Sequence, residues 1–320
     1  MKTNTPATAT AAPAALSIQG LNTYFFTAKQ LVKAVRDVDL IIPSGKTVAM
    51  VGESGCGKSM TALSILRLVP PPGRIVSGQI NFAGEDLLQL PSTEMHRIRG
   101  NRIAMIFQDP MTALNPVFTI GNQIGETLRH HKGLSKAQAL EHSIELLHQV
   151  GIPNAQQRYR DYPHQLSGGM RQRVMIAIAL SCDPSLLIAD EPTTALDVTI
   201  QAQIMALLNK QQQQRQMSTL LISHDLGVVA QNADIVAIMY DGLIVEQAEV
   251  QTIFSNPQHP YTQELLNCIP KIGRDRHKRL EVRQQQDSFW LSCPAEFAPQ
   301  ESQMAPLQHI AANHFVRRWS

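Results

Sequence analysis

The sequence predicts an α/β fold: a mostly parallel central sheet, an N-terminal antiparallel β-subdomain and an inserted α-helical subdomain. Three observations predict it. Gly52-Glu53-Ser54-Gly55-Cys56-Gly57-Lys58-Ser59 stands between an apolar run at 48–51 and a helix-like run at 60–68, the strand, glycine turn and helix order of a phosphate-binding loop. Four short apolar runs, 48–51, 103–107, 186–189 and 219–222, have the length and composition of strands buried on both faces. Residues 107 to 186 hold a long stretch with helical spacing at 120–129 and 136–150.

Taken in chain order, residues 16–26, 38–42 and 79–82 alternate apolar with polar and are separated by Ser44-Gly45 and Ser77-Gly78, which predicts strands of a small antiparallel sheet around the phosphate loop. The parallel strands follow, with helices between several of them. Asp241-Gly242 reads as the turn of a last hairpin, after which Pro257, Pro260 and Pro270 interrupt regular structure. The stretch 271–283 carries six Lys or Arg against Asp275 and Glu281. It reads as a solvated linker, with contact to anionic lipid headgroups as the alternative. Residues 211–214 are four glutamines at the end of a helix-like segment, and no chemistry attaches to them.

Composition bounds the class more than the function. With 320 residues, 43% of them hydrophobic and 17% charged, the chain is an ordinary globular protein with one principal domain and appendages. A formal charge of +2 gives no electrostatic reason to expect nucleic acid as a partner. Cys56, Cys182, Cys268 and Cys293 are scattered without a C-x-x-C pair, which argues against a disulfide framework or a four-thiolate metal site and suits a reducing cytoplasm. Residues 1–15 are rich in Ala, Thr and Pro, with Lys2 the one charge, and read as a disordered lead-in rather than a signal peptide. No window approaches the roughly 18 apolar residues of a membrane span, so work at a membrane would require another chain as anchor.

The chemistry concentrates in three places. The glycines of 52–59 let successive backbone N–H groups point inward and form an anion nest with the positive end of the following helix. Lys58 then suits the outer phosphates and Ser59 suits Mg²⁺. The run 186–189 ends in Asp190-Glu191, where open α/β sheets place ligand groups; Asp190 suits Mg²⁺ held largely through water, and Glu191 suits taking a proton from an attacking water. Ser167-Gly168-Gly169, just before an apolar helix at 174–180, offers N–H groups and a hydroxyl to a phosphate, although a plain helix N-cap would also explain Ser167.

With these motifs in order, followed by Ala195-Leu196-Asp197 and Ser223-His224-Asp225, the chain resembles the ATP-binding subunit of an ABC transporter over residues 16–270. The resemblance implies a P-loop NTPase (ABC ATPase) core with its helical subdomain at about 110–166 and a C-terminal extension at 271–320. It implies ATP and Mg²⁺ as cofactors and ATPase activity. It puts Glu53, Ser54, Cys56, Met60 and Asp197 among the nucleotide-binding positions with Gly52, Gly55, Gly57, Lys58 and Ser59, and the Ser167 to Gly169 signature across the pocket from the loop of a second subunit. Gln108 matches the glutamine that touches Mg²⁺ and the attacking water, and His224 the switch histidine that contacts the γ-phosphate and helps orient Glu191. Phe25 best matches the aromatic that stacks on adenine, with Tyr24 and Phe26 as rivals and core packing as the alternative for all three.

Three further segments, Gln108-Asp109-Pro110-Met111-Thr112-Ala113-Leu114-Asn115-Pro116, Tyr162-Pro163-His164-Gln165 and Asn256-Pro257-Gln258-His259-Pro260-Tyr261-Thr262, resemble the peptide, opine and nickel importers. Members often carry a cysteine-rich tail for an iron–sulfur cluster. Here Cys293 stands without companions and arginine takes the place of the last cysteine, so no cluster is expected. The resemblance implies a head-to-tail pair of ATPases, identical or paralogous, two transmembrane permease subunits, an extracytoplasmic substrate-binding protein acting indirectly, and a peripheral place on the cytoplasmic face of the inner membrane. Peptides lead as cargo over nickel chelates and opines. The competing classes are a soluble ABC-type ATPase in DNA repair or on ribosomes, disfavoured by the lack of long heptad coils or a second nucleotide domain, and a catalytically silent subunit, disfavoured by intact Lys58, Asp190, Glu191 and His224.

Overall fold

A computed structural model describes residues 14–194, 196–268, 289–291, 293–297, 299, 305–311 and 313–319. The lead-in, the basic stretch 271–283, Pro270 and Ala195 lie outside the described residues, except that the first strand already begins at Ala14. In chain order the elements are β1 (Ala14–Phe26), β2 (Leu31–Pro43), β3 (Thr47–Val51), α1 (Lys58–Ile65), β4 (Gly73–Phe82), β5 (Glu85–Asp86), α2 (Ser92–Ile98), β6 (Ile103–Ile106), α3 (Pro110–Ala113), α4 (Ile120–Lys132), α5 (Lys136–Gln149) and α6 (Ala155–Arg158). There follow α7 (Gly168–Leu180), β7 (Leu186–Asp190), α8 (Val198–Arg215), β8 (Ser218–Ile222), α9 (Leu226–Asn232), β9 (Ile235–Tyr240), β10 (Leu243–Glu249), α10 (Val250–Ser255), α11 (Pro260–Asn267), β11 (Leu307–Ala311) and β12 (His314–Arg317).

Two sheets result. The N-terminal one is antiparallel in the order β2-β1-β4-β5. The main sheet runs β11-β12-β10-β9-β3-β8-β7-β6, parallel from β9 to β6 and antiparallel beyond β9. The four expected parallel strands are all present. β9 joins them as a fifth, and the Asp241-Gly242 hairpin then reverses the chain. β2 begins seven residues before the predicted 38–42 run, since residues 31–37 lack clean alternation and the β1–β2 register slips between Thr23 and Tyr24.

The parallel strands are apolar through their middles because they feed two cores at once. Ala49 and Val51 of β3, with Ala104, Ile106, Leu187, Ala189 and Leu221, face one core, which Ile120, Ile124 and Leu128 of α4 and Leu147 of α5 complete. Val48 and Met50, with Ile103, Leu186, Ile188, Leu220 and Ile222, face the other, completed by α1 and by Leu16, Ile18 and Leu21 of β1. The helical insertion and the antiparallel sheet therefore cover opposite faces of the main sheet. Within the insertion, Thr119 caps α4 and a reciprocal Ser135–Gln138 capping box starts α5.

The C-terminal hairpin β11–β12 extends the main sheet, an addition absent from the sequence expectations. Arg317 fixes it. Its guanidinium is fully buried and donates to the carbonyls of Ile244, Ala305 and Asp37 and to the Asp37 carboxylate at 3.2 Å. His314 Nε2 meets the buried Glu246 carboxylate at 2.7 Å. Arg317→Met is expected to lower unfolding free energy by about 2–4 kcal/mol, because it orphans an aspartate and three carbonyls. Denaturant titration of both proteins checks this; coincident midpoints would rule out a stabilising role for the guanidinium.

Candidate active site

The phosphate loop leaves β3 and enters α1 with Gly52 and Gly57 pressed against neighbouring backbone, while Gly55 is open. At Gly52 a side-chain carbon would sit 2.0 Å from the Met239 carbonyl oxygen, and at Gly57 it would sit 2.2 Å from that of Ala34. Gly57 also has φ +112°, a conformation that other residues rarely adopt. Gly242 N donates to Cys56 O at 2.9 Å, so the β9–β10 turn holds the loop from behind. Glu53, Ser54 and Gly55 form its exposed rim, while Cys56, Gly57 and Lys58 are buried. Lys58 Nζ donates to the carbonyls of Gly52 and Glu53, both at 2.8 Å, which sets the ammonium across the loop. Burial pushes the Cys56 thiol up, against the pull of the Lys58 charge.

The acid pair lies at the carboxyl end of β7, as predicted. Ser59 Oγ donates to Asp190 Oδ1 at 3.0 Å, joining the start of α1 to the strand end. Burial, helped by the neighbouring Glu191 charge, holds the Asp190 carboxyl above its usual range, while the Ser59 hydrogen bond and the Lys58 charge pull it back. Glu191 has φ +47°, a left-handed conformation costing about 1–3 kcal/mol for a non-glycine residue, and its N–H donates to Ile222 O at 2.9 Å. Its carboxylate is held on both oxygens. Gln108 Nε2 donates to Oε2 at 2.9 Å, Thr194 Oγ1 donates to the same oxygen at 2.8 Å, and His224 Nδ1 lies 3.2 Å from Oε1.

The structure thus brings Lys58, Ser59, Gln108, Asp190, Glu191 and His224 together. Met60 follows Ser59 in the first turn of α1 and is half-buried. Ser167 and Gly168 are exposed at the N-terminus of α7, with Ser167 Oγ accepting from Met170 N at 3.4 Å. Gly169 packs toward Ile200 of α8, and Asp197 caps α8 by accepting from Ile200 N at 3.0 Å. Among the described residues, no hydrogen bond ties Ser167–Gly169 or Asp197 to the phosphate loop. The aromatic trio separates. Phe25 is half-buried against Gly73, its partner on β4, while Thr23 Oγ1 lies 2.8 Å from Ser64 Oγ of α1. Tyr24 donates to Asn22 under the Lys33 ammonium, and Phe26 is half-exposed beneath Arg74.

Sequence reasoning missed Thr194, whose signal was its place three residues past Glu191 beside the strand end. It also missed Gln172, which donates from α7 to Pro192 O at 2.6 Å and so links the signature helix to the segment after Glu191. Among the described residues no cluster of three or more His, Cys, Asp or Glu forms a metal cage. The donor set at Ser59, Asp190 and Gln108 is all hard oxygen, which fits Mg²⁺, an ion that uses few protein ligands and relies on water and substrate phosphate.

A buried lysine, a glycine nest and oxygen donors at a helix start are equipment for a polyphosphate, which puts the chain in the class of phosphate-loop nucleoside triphosphatases. Residues 35–194 match the ABC transporter family and residues 245–291 match the C-terminal region of oligopeptide/dipeptide transporters. A probable peptide ABC transporter ATP-binding protein, y4tR, of Sinorhizobium fredii is 46% identical over 95% of this chain and 94% of its own length. The oligopeptide transport ATP-binding protein AppD of Bacillus subtilis is 55% identical over 82% of this chain and 80% of its own. The dimeric post-hydrolysis structure of the ATP-binding cassette MJ0796 bound to ADP and Pi superposes with a TM-score of 0.67 at 25% identity, covering 73% of this chain and 98% of that one. The chain belongs to the ABC transporter ATP-binding proteins, and it binds ATP and hydrolyses it in work coupled to transport.

A raised carboxyl pKa means that the folded chain holds this proton more tightly than the unfolded one, so ionising Asp190 costs stability as pH rises from the usual carboxylate range through the raised value. Asp190→Asn is therefore expected to raise the thermal midpoint at neutral pH, with the gain shrinking in acid, while ATPase activity falls by about 10²-fold or more. Calorimetry across pH together with phosphate release checks both halves. A gain that grows in acid would contradict the assignment.

Proposed function

We propose that this protein is the energising ATPase of a binding-protein-dependent importer for peptides, and that the clamped Glu191 carboxylate is its general base. The observation that carries the catalytic part is the Gln108–Glu191–Thr194–His224 arrangement directly beside Ser59 and Asp190. A base must be fixed within hydrogen-bond reach of the water it deprotonates, and here three side chains from separate loops orient one carboxylate. Gln108 sits between β6 and α3, so it also links the catalytic acid to the helical insertion at about 110–166. His224, the exposed partner of a mostly buried Glu191, would sense the γ-phosphate.

Mg²⁺ would be held by Ser59 and Asp190 with Gln108 nearby, and when bound it would neutralise phosphate charge. Lys58 would move its donors from the loop carbonyls to the outer phosphates, and Phe25 would stack on adenine beside the loop-bearing helix. The exposed Ser167 to Gly169 turn and Asp197 would complete the pocket of a second subunit, identical or paralogous, so that the shared γ-phosphate holds two chains together until it is cleaved. An exposed N–H-rich turn with its own cap satisfied supports that role, since beyond its own turn no atom of the described residues lies within 4 Å of a side-chain position at Gly168. Core residues 16–270 would act with two membrane permeases at the cytoplasmic face, and no described helix is long and apolar enough to cross a membrane itself. The peptide assignment rests on the match of residues 245–291 and on the names that the relatives carry.

Glu191→Gln is expected to retain ATP binding, lower turnover by roughly 10²-fold or more, and accumulate as an ATP-bound dimer. Stopped-time phosphate release and light scattering read the two effects; near-normal turnover would remove Glu191 from the base role. Uptake of labelled di- and oligopeptides by cells lacking this chain tests the cargo, and uptake at the parental rate would reject peptides.

A further inference from the structure

The backbone N–H of Glu53, second residue of the phosphate loop, is bonded to a side chain from outside the loop. Glu53 N donates to the Tyr261 phenol oxygen at 3.2 Å, at the point where the chain leaves β3. Tyr261 comes from α11, more than two hundred residues later, and is 2% exposed. Its own position is overdetermined. His259 Nδ1 caps α11 by accepting from Tyr261 N at 3.2 Å, and burial holds that imidazole down to about 3, so the ring stays neutral and able to accept. The Tyr240 ring lies 4.5 Å away, and the Phe289 ring packs on both tyrosines at 5.5 Å.

This cluster touches the loop a second time. Tyr240 ends β9, and its neighbours Met239 and Gly242 are the backbone that Gly52 and Cys56 rest on. Phe289 N donates to the Tyr240 phenol at 3.0 Å, and Trp290 Nε1 donates to Asp241 Oδ2 at 3.0 Å, an oxygen that Arg36 also pairs with at 2.7 Å. Residues 289 and 290 therefore seal the hairpin and the tyrosine that together support the loop. We propose that Tyr261 is a positioning residue of the ATP site, its phenol oxygen fixing the loop backbone at Glu53 so that the aromatic cluster of the C-terminal region sets nucleotide affinity.

The inference rests on the reading of residues 52–59 as the ATP site and goes beyond it in giving the C-terminal region a part in that site. Loop N–H groups bind phosphate well only when prearranged, so releasing Glu53 should weaken ATP and ADP alike without touching the chemical step. Tyr261→Phe keeps the ring and removes the oxygen. In the purified full-length chain it is expected to weaken the Kd for ATP and for ADP by about five- to tenfold. KM for ATP should rise by a similar factor while kcat at saturation stays within about twofold, as for lost uniform binding. Thr262→Val, which removes from the next residue of the same helix a buried hydroxyl that has no hydrogen-bond partner among the described residues, should leave both constants unchanged. Unchanged nucleotide affinity in Tyr261→Phe, or a lowered melting midpoint with unchanged affinity, would overturn the proposal. So would equal losses in the two variants. Failure of the unaltered chain to bind ATP would fell the underlying reading and the proposal with it, an outcome told apart by the unaltered chain alone.

Discussion

Contact between backbones at Gly52 and Gly57 is the constraint on which the site depends. The phosphate loop lies so close to the carbonyls of Met239 and Ala34 that no side chain fits between them. That closeness lets a β-hairpin on one side and β2 on the other define the loop's path. Lys58 and Ser59 follow from it, because both are carried on the helix that the loop delivers. Packing and chemistry are here the same set of contacts.

The acid pair is held by a different device. Asp190 and Glu191 are adjacent at the end of one strand yet live in unlike surroundings. Asp190 is buried, bonded to Ser59 and pushed toward its protonated form by desolvation. Glu191 is turned out by its left-handed backbone into a ring of donors from three loops. Neighbouring carboxyls in contrasting environments can divide the work of charge neutralisation and proton transfer. Gln108 and Gln172 then tie this point to α3 and α7, so a shift of the helical insertion reaches the acids through two amides.

Much of this was legible in the sequence because it depends on local pattern. The glycine spacing of 52–59, the apolar runs of β3, β6, β7 and β8 and the acids at 190 and 191 each announce themselves within ten residues. The Asp241-Gly242 turn did so as well. Less legible were features made by distant partners. The C-terminal hairpin is held by Arg317 reaching Asp37 across 280 residues, and neither strand has a strong alternating pattern of its own. Thr194 gains its role only because the chain turns back on Glu191. Tyr24, Phe25 and Phe26 lie where the pairing of β1 with β2 is bulged, so alternation in the sequence does not assign their faces.

β3 sends Val48 and Met50 to one side of the sheet and Ala49 and Val51 to the other, and the phosphate loop begins at the very next residue. A slip of one position would exchange small and large side chains between two differently shaped interiors and present the loop to the wrong face. A β3 in the wrong register would thereby forgo the stabilisation that bound ATP lends to the native fold.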